Sequence, residues 1–237
     1  VTSVMNAVRG IGFDLDHTLA IDNHLERVVF LRLLKSVSSR GGRVEGSLSD
    51  QIADVDRLLQ RQRSGEFTID EAVRLFAAER GLANGDWFVE SFREMAVGSV
   101  EDFLVSLPGV DQTMEELQKR GILVAVLTNG WNPLQKRKAE QAGFRGPVLV
   151  SSEIGERKPS VGAFERLLHV LGTEPRYTCY VGDDPHDDIA GAQDAGLQTV
   201  WIDWEGRECP GNVQPPTHTI HAFPELLEFV PQCVGAS

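Results

Sequence analysis

The amino-acid sequence predicts an α/β fold: a doubly wound, mainly parallel sheet with a helical domain inserted after the first strand. Three observations carry this expectation. Residues 99–237 alternate short apolar runs with amphipathic stretches, the pattern of repeated strand and helix units. The apolar run Ile11-Gly12-Phe13 adds a strand signal near the start of the chain. Between them, residues 22–97 hold helical periodicity with no strand signal. The expected division is an α/β core of residues 1–19 and 99–237 and a helical domain of residues 20–98.

Each helix of the insert has its own signal. Leu25, Val28, Val29, Leu31, Leu33 and Leu34 recur at helical spacing until Gly41-Gly42 breaks the run. A second helix is expected over 48–63, capped by Ser47 or Ser49, with Ile52, Val55, Leu58 and Leu59 as its stripe. A third covers 69–80, introduced by Thr68 and closed by Gly81. A fourth covers 86–95 and carries Trp87, Phe88, Phe92 and Met95.

In the core, Pro108-Gly109 opens a helix to about residue 119, and 122–127 reads as a strand buried on both faces. A helix over 133–142, a short strand over 148–150 and a helix over 161–171 follow. A buried strand over 177–181 precedes a helix over 187–195, which Gly196 ends. Strands over 198–202 and 218–220 and a helix over 223–229 complete the pattern.

Composition narrows the function classes. With 237 residues, 41% hydrophobic and 24% charged, the chain can bury a substantial core, which argues against disorder of the whole chain. A formal net charge of −12 opposes nucleic acid phosphates. The densest basic run, Lys136-Arg137-Lys138, is followed by Glu140 and reads as a solvated helix face. Cys179, Cys209 and Cys233 are odd in number and widely spaced, which argues against a disulfide framework and for a reducing, cytoplasmic setting. Cys179, inside an apolar run, reads as a small core residue. Residues 1–9 lack the features of a signal peptide, and no stretch is apolar for long enough to span a bilayer. Neither nucleic acid nor membrane is expected as a partner, and the oligomeric state is left open.

Polar residues gather where the expected strands end, which is where parallel α/β sheets place ligands. The first strand runs into Asp14 and Asp16. Two carboxylates this close are costly unless a cation or a shared proton relieves them, and Mg²⁺ suits such a pair; a solvated Asp-rich turn is the alternative. The second strand end holds Thr128-Asn129-Gly130, a hydroxyl and an amide before a glycine that lets backbone N–H groups approach an anion. Glu156-Arg157-Lys158-Pro159 then sets a cation before a helix. The fourth holds Asp183, Asp184, Asp187 and Asp188 around Pro185 and His186. Each piece alone has an ordinary reading as a turn or a helix cap. Together, and in this order, they do not.

The stretches Phe13-Asp14-Leu15-Asp16-His17-Thr18-Leu19-Ala20, Leu127-Thr128-Asn129-Gly130, Glu156-Arg157-Lys158-Pro159 and Val181 to Asp188 resemble the four motifs of the haloacid dehalogenase-like hydrolases. The resemblance implies a Rossmann-like core with an α-helical cap domain inserted between the first and second motifs. It implies that Asp14 is the nucleophile that becomes an aspartyl phosphate, and Asp16 the acid and base serving the leaving oxygen and then water. Thr128 and Asn129 would hold phosphoryl oxygens, with Lys158 neutralising their charge. Mg²⁺ would be held by Asp14, the backbone carbonyl of Asp16, and Asp183. Asp188, or its neighbours Asp184 and Asp187, would support Lys158 or water on the metal. His17 would shape the pocket, and His186 reads as an exposed loop residue.

Asp16 selects among that family's reactions. Halide displacement needs no acid two residues after the nucleophile, so a dehalogenase is disfavoured. Phosphonate cleavage would need a Schiff-base lysine, for which the insert offers only Lys35. A phosphomutase shares the first half of phosphatase chemistry, and a noncatalytic phospho-ligand-binding protein shares the fold. The expected function is a Mg²⁺-dependent phosphatase for a small-molecule phosphomonoester, with a nucleoside monophosphate or a sugar phosphate as candidates. The insert is expected to close over the site and choose the substrate. Asn23, His24 and Arg27 either face the leaving group or simply start a helix, and Arg74 and Arg93 read as surface charges.

Overall fold

A computed structural model describes residues 8–83 and 85–230. Most of the 1–9 segment, and Cys233, lie outside the described residues. The chain divides into two compact units, Val1–Ile21 with Val105–Ser237, and Asp22–Leu104. The sequence had suggested divisions at 19/20 and 98/99.

In chain order, β1 (Gly10–Phe13) and β2 (Ala20–Ile21) come first. The second unit follows as α1 (Leu25–Ser39), α2 (Leu48–Arg63), α3 (Ile69–Glu79), α4 (Asp86–Gly98) and the single turn α5 (Val100–Phe103). The first unit resumes with β3 (Val105–Ser106), α6 (Val110–Lys119), β4 (Leu123–Thr128), α7 (Leu134–Gln141), β5 (Val148–Val150) and α8 (Ser151–Ile154). It ends with α9 (Val161–Leu171), β6 (Thr178–Gly182), α10 (Gly191–Asp194), β7 (Gln198–Ile202), β8 (His218–Ile220) and α11 (Leu226–Phe229).

Among the described residues, six strands form one parallel sheet in the order β5-β4-β1-β6-β7-β8. The chain winds outward from β1 in one direction, then returns and winds outward in the other. This places a topological switch point between β1 and β6, where such sheets form their ligand crevice. Alternation along the strands sorts the core into two faces. Ile11, Phe13, Val126, Cys179 and Val181 pack on one, with Phe223 and Leu226. Ala125, Leu127 and Tyr180 pack on the other, against Phe164 and Leu167 of α9.

The helical unit is held by its own caps and rings. Ser47 and Asp50 cap α2 reciprocally, as Thr68 and Glu71 cap α3; each such cap stabilises by about 1 kcal/mol. Phe30 meets Phe76 and Phe92 at ring-centroid distances of 5.1 and 4.6 Å. Asn23 donates to the Phe103 carbonyl, Arg27 pairs with Asp56, Arg74 with Asp86, and Arg93 with Asp70. His24 precedes α1 in a left-handed conformation and makes no side-chain cap.

Three local expectations are corrected. The helix expected over 187–195 begins as a π-helical turn, Pro185–Ala190, before α10, because Asp184 caps the turn while Asp188 is directed inward. The helix over 223–229 starts with a 3₁₀ turn, Phe223–Glu225, around Pro224. The strand at 122–127 is not buried throughout, since Leu123 is exposed. The antiparallel pair β2–β3 carried no signal, because two residues per strand are too few to show a period. No helix among the described residues is long and apolar enough to cross a membrane.

Candidate active site

Phe13, the last residue of β1, pairs with Val126 and Val181, so the chain leaves the sheet at its centre. Asp14 follows at once, its backbone N–H on the Val181 carbonyl at 2.9 Å. The Leu15 carbonyl accepts from Leu19 and Ala20, and the His17 N–H from its left-handed position reaches the Ala20 carbonyl at 2.8 Å. This tight loop turns the chain over the strand ends. His17 itself is exposed, and its carbonyl accepts the Trp204 indole N–H.

Lys158 is buried between three acceptors. Its Nζ stands 2.6 Å from Asp14 Oδ1, 2.6 Å from Asp188 Oδ1 and 3.0 Å from the Tyr180 hydroxyl, which donates in turn to the Leu127 carbonyl. An ammonium has three protons, so all are engaged. Burial disfavours the charge on Lys158, but Asp14 and Asp188 outweigh it and hold the ammonium well above its ordinary range. Asp188 reaches this position because Gly182 has no side chain: a Cβ there would collide with the Asp188 carboxylate.

Asp14, Asp183 and Asp188 bring carboxylate oxygens within 4.8 Å of one another. Burial first, then Lys158 in opposition and the neighbouring acids in support, pushes Asp14 up to about 7. Burial with Asp14 and Asp188 pushes Asp183 up to about 8. Three crowded carboxylates, only partly offset by Lys158, offer the hard oxygen donors that suit Mg²⁺. Asp188 already serves Lys158 and the Asp184 N–H, so Asp14 and Asp183 are the side chains best suited to a metal.

Asp16 has a separate environment. One carboxylate oxygen, Oδ1, lies 2.9 Å from Lys138 Nζ, and Oδ2 accepts from Gln135 Nε2 at 2.8 Å. Burial alone would raise Asp16, but the Lys138 charge and the hydrogen bonds from Gln135 and Lys138 bring it below its ordinary value. Two acids two residues apart thus sit in different electrostatic settings, Asp14 raised and Asp16 lowered in the metal-free chain.

Thr128 is buried at the end of β4, its hydroxyl accepting from Gln135 at 2.9 Å. The Asn129 side chain is turned from the expected phosphoryl contact to the frame of the site. Its Nδ2 donates to the Lys158 carbonyl and to Asp187 Oδ2, and its Oδ1 accepts the Lys158 N–H. Asp184 caps the π turn by accepting from the N–H groups of His186 and Asp187. Asp187 is raised, by burial first and then by Asp184. His186 is exposed.

The reading of Lys136-Arg137-Lys138 as a solvated face is corrected. Lys138 is 3% exposed, on the buried stripe of α7 with Leu134, Gln135 and Ala139. The four-residue spacing from Leu134 to Lys138 was the available signal, masked by the charge run. Gln135 and Tyr180 were likewise not singled out.

The family model described as a haloacid dehalogenase-like hydrolase matches residues 8–196. A phosphoserine phosphatase from Thermus thermophilus is 37% identical over 99 residues, 40% of each chain. A ribulose-1,5-bisphosphate 5-phosphatase from Halopiger xanaduensis is 33% identical over 52% of this chain and 56% of its own. These matches span about half of those relatives or less. A glyceraldehyde 3-phosphate phosphatase from Pyrococcus furiosus is 25% identical over 95% of this chain and 94% of its own. Among solved structures, the HAD-hydrolase YfnB from Bacillus subtilis, described as bound to magnesium, covers 95% of this chain and 99% of its own at TM-score 0.69 and 22% identity. A 2-haloacid dehalogenase from Pseudomonas syringae covers 94% and 97% at TM-score 0.73 and 23% identity. At these identities the structural likeness speaks to the fold.

Proposed function

From the premise that this chain belongs to the haloacid dehalogenase-like hydrolase family, we propose that it is a Mg²⁺-dependent phosphatase. It would hydrolyse a small-molecule phosphomonoester through an aspartyl-phosphate intermediate on Asp14. The observation that carries the proposal is the separation of partners around two neighbouring acids: Lys158 and Asp188 at Asp14, Lys138 and Gln135 at Asp16.

The residues divide the reaction between them. The Asp14 carboxylate attacks phosphorus and the bond to the leaving oxygen breaks, with Asp16, once protonated from solvent, delivering that proton to the leaving oxygen. Asp16, now a carboxylate, takes a proton from water as the water attacks the acyl phosphate, releasing inorganic phosphate and restoring Asp14. Thr128 donates to a phosphoryl oxygen. Lys158 steadies Asp14 and offsets charge near the transferred group. Asp14, Asp183 and the Asp16 carbonyl would hold Mg²⁺, which supplies charge neutralisation for the phosphoryl group when bound. The relatives named as phosphatases of phosphoserine and of sugar phosphates support a small phosphate ester as substrate.

Turnover of 4-nitrophenyl phosphate, followed with Mg²⁺, with EDTA and in Asp14→Asn, tests the proposal. The expected result is metal-dependent hydrolysis that falls by about 10⁴-fold or more in the variant, the scale for losing a nucleophile. No turnover across a broad phosphomonoester panel, or full activity in Asp14→Asn, overturns it.

A further inference from the structure

We propose that Gln135 and Lys138 are positioning residues that hold Asp16 in register for proton delivery to the leaving oxygen, an inference resting on the function proposed above. Both project from α7, three residues apart and on one helix face. Each holds a different oxygen of the same carboxylate, Gln135 at Oδ2 and Lys138 at Oδ1, at 2.8 and 2.9 Å. One contact would leave the carboxylate free to swivel about it. Two contacts at opposite oxygens define its plane.

The arrangement is built into the surrounding backbone. Gly130 has φ +154°, and a Cβ there would lie 2.7 Å from Gln135 Cγ, so the loop after β4 makes room for this side chain. Gln135 Nε2 also contacts Thr128 Oγ1 at 2.9 Å and the Asn129 carbonyl at 3.1 Å. With the Asp16 carboxylate and the Asn129 carbonyl, which can only accept, both beside Nε2, the amide cannot be reversed without setting its oxygen against them. One amide group therefore orders both Asp16 and Thr128. Since the Thr128 hydroxyl accepts from Gln135, and its contact to the Asn129 carbonyl is long at 3.4 Å, its proton remains available to a phosphoryl oxygen.

Lys138 completes the hold. It is as buried as Lys158, while its neighbours Lys136 and Arg137 are 43% and 36% exposed at the side chain. Burying an ammonium is unfavourable unless a partner compensates, and the Asp16 carboxylate is that partner. A lysine serving only as a surface charge would have had the exposed positions of the same helix open to it.

The test uses the full chain with Mg²⁺ and two substrates of opposite demand. 4-Nitrophenyl phosphate has a leaving group that departs with little help from a proton. β-Glycerol phosphate has an alkoxide that needs one. kcat/KM covers the steps through phosphoryl transfer to Asp14, the stage at which Asp16 gives its proton.

Lys138→Met and Gln135→Ala are expected to lower kcat/KM on the alkyl phosphate at least about 10-fold more than on the aryl phosphate, within the range of general acid catalysis. Asp16→Asn should show the same asymmetry more strongly, and Asp14→Asn should lower both alike. Lys138→Arg keeps the cation and should recover part of the alkyl activity; it also covers the case of a methionine variant that does not fold. Folded variants that lose both substrates in equal proportion, or neither, overturn the positioning role while the phosphatase reading stands. A wild-type chain inactive on both substrates overturns that reading, and this inference with it.

Discussion

Lys158 and Asp14, 144 positions apart in the chain, meet at 2.6 Å with both side chains nearly withdrawn from solvent. The contact joins the end of β1 to the turn before α9 at the centre of the parallel sheet. Removing one partner of such a pair leaves the other buried and uncompensated. Lys158→Met, measured by urea denaturation without metal, is expected to destabilise the chain by about 3–5 kcal/mol at pH 8. The loss should shrink at pH 5, where Asp14 can take a proton. An equal loss at both values would show that the charge pair is not its cause.

The raised carboxyls give the metal-free chain a defined pH response. Asp14 and Asp183 rise from an ordinary 3.8 to about 7 and about 8. A carboxyl raised on folding favours the folded state while both states are protonated, and that contribution is lost as pH rises through the folded value. The acids that are lowered on folding, Asp16 among them, have completed their effect above about pH 5. The Tm in EDTA is therefore expected to fall between pH 5 and pH 8.5. Millimolar Mg²⁺ should raise Tm more at the upper end, where it competes with fewer protons. A Tm that climbs across this range without metal would contradict the assignment.

Gly130→Ala tests the opening in the loop after β4. The new methyl would meet Gln135 within 2.7 Å at a φ of +154° that L-residues rarely adopt. The expected cost is about 1–3 kcal/mol in denaturant unfolding. Displacement of Gln135 should also lower turnover of alkyl phosphates. Wild-type stability and turnover together would show that the loop yields without disturbing Gln135.

Tyr180→Phe removes the third acceptor from Lys158 and the donor to the Leu127 carbonyl. Leaving buried polar groups without partners costs about 1–3 kcal/mol. The ring still packs edge-on against Phe164, whose centroid lies 5.0 Å away, so the change should appear as lost stability with the fold intact. Thermal unfolding checks it, and an unchanged Tm would mean that another group replaces the hydroxyl.

By itself the sequence determined the sheet and the strand ends that carry Asp14, Asp16, Thr128 and Asp183. Apolar runs alternating with amphipathic helices leave few topologies open, and a run that stops at a polar residue marks where the chain leaves the sheet. The capping pairs Ser47 with Asp50 and Thr68 with Glu71 were partly legible too, because their partners lie three residues apart. The tertiary structure alone decided which groups answer those acids. Lys138 and Gln135 reach Asp16 across separations of 122 and 119 residues, and Tyr180 reaches Lys158 across 22. Local pattern shows that a lysine stands in a charged run. Only packing of α7 beside the end of β1 turns that lysine inward, because a buried ammonium is tolerated only where a carboxylate already waits for it.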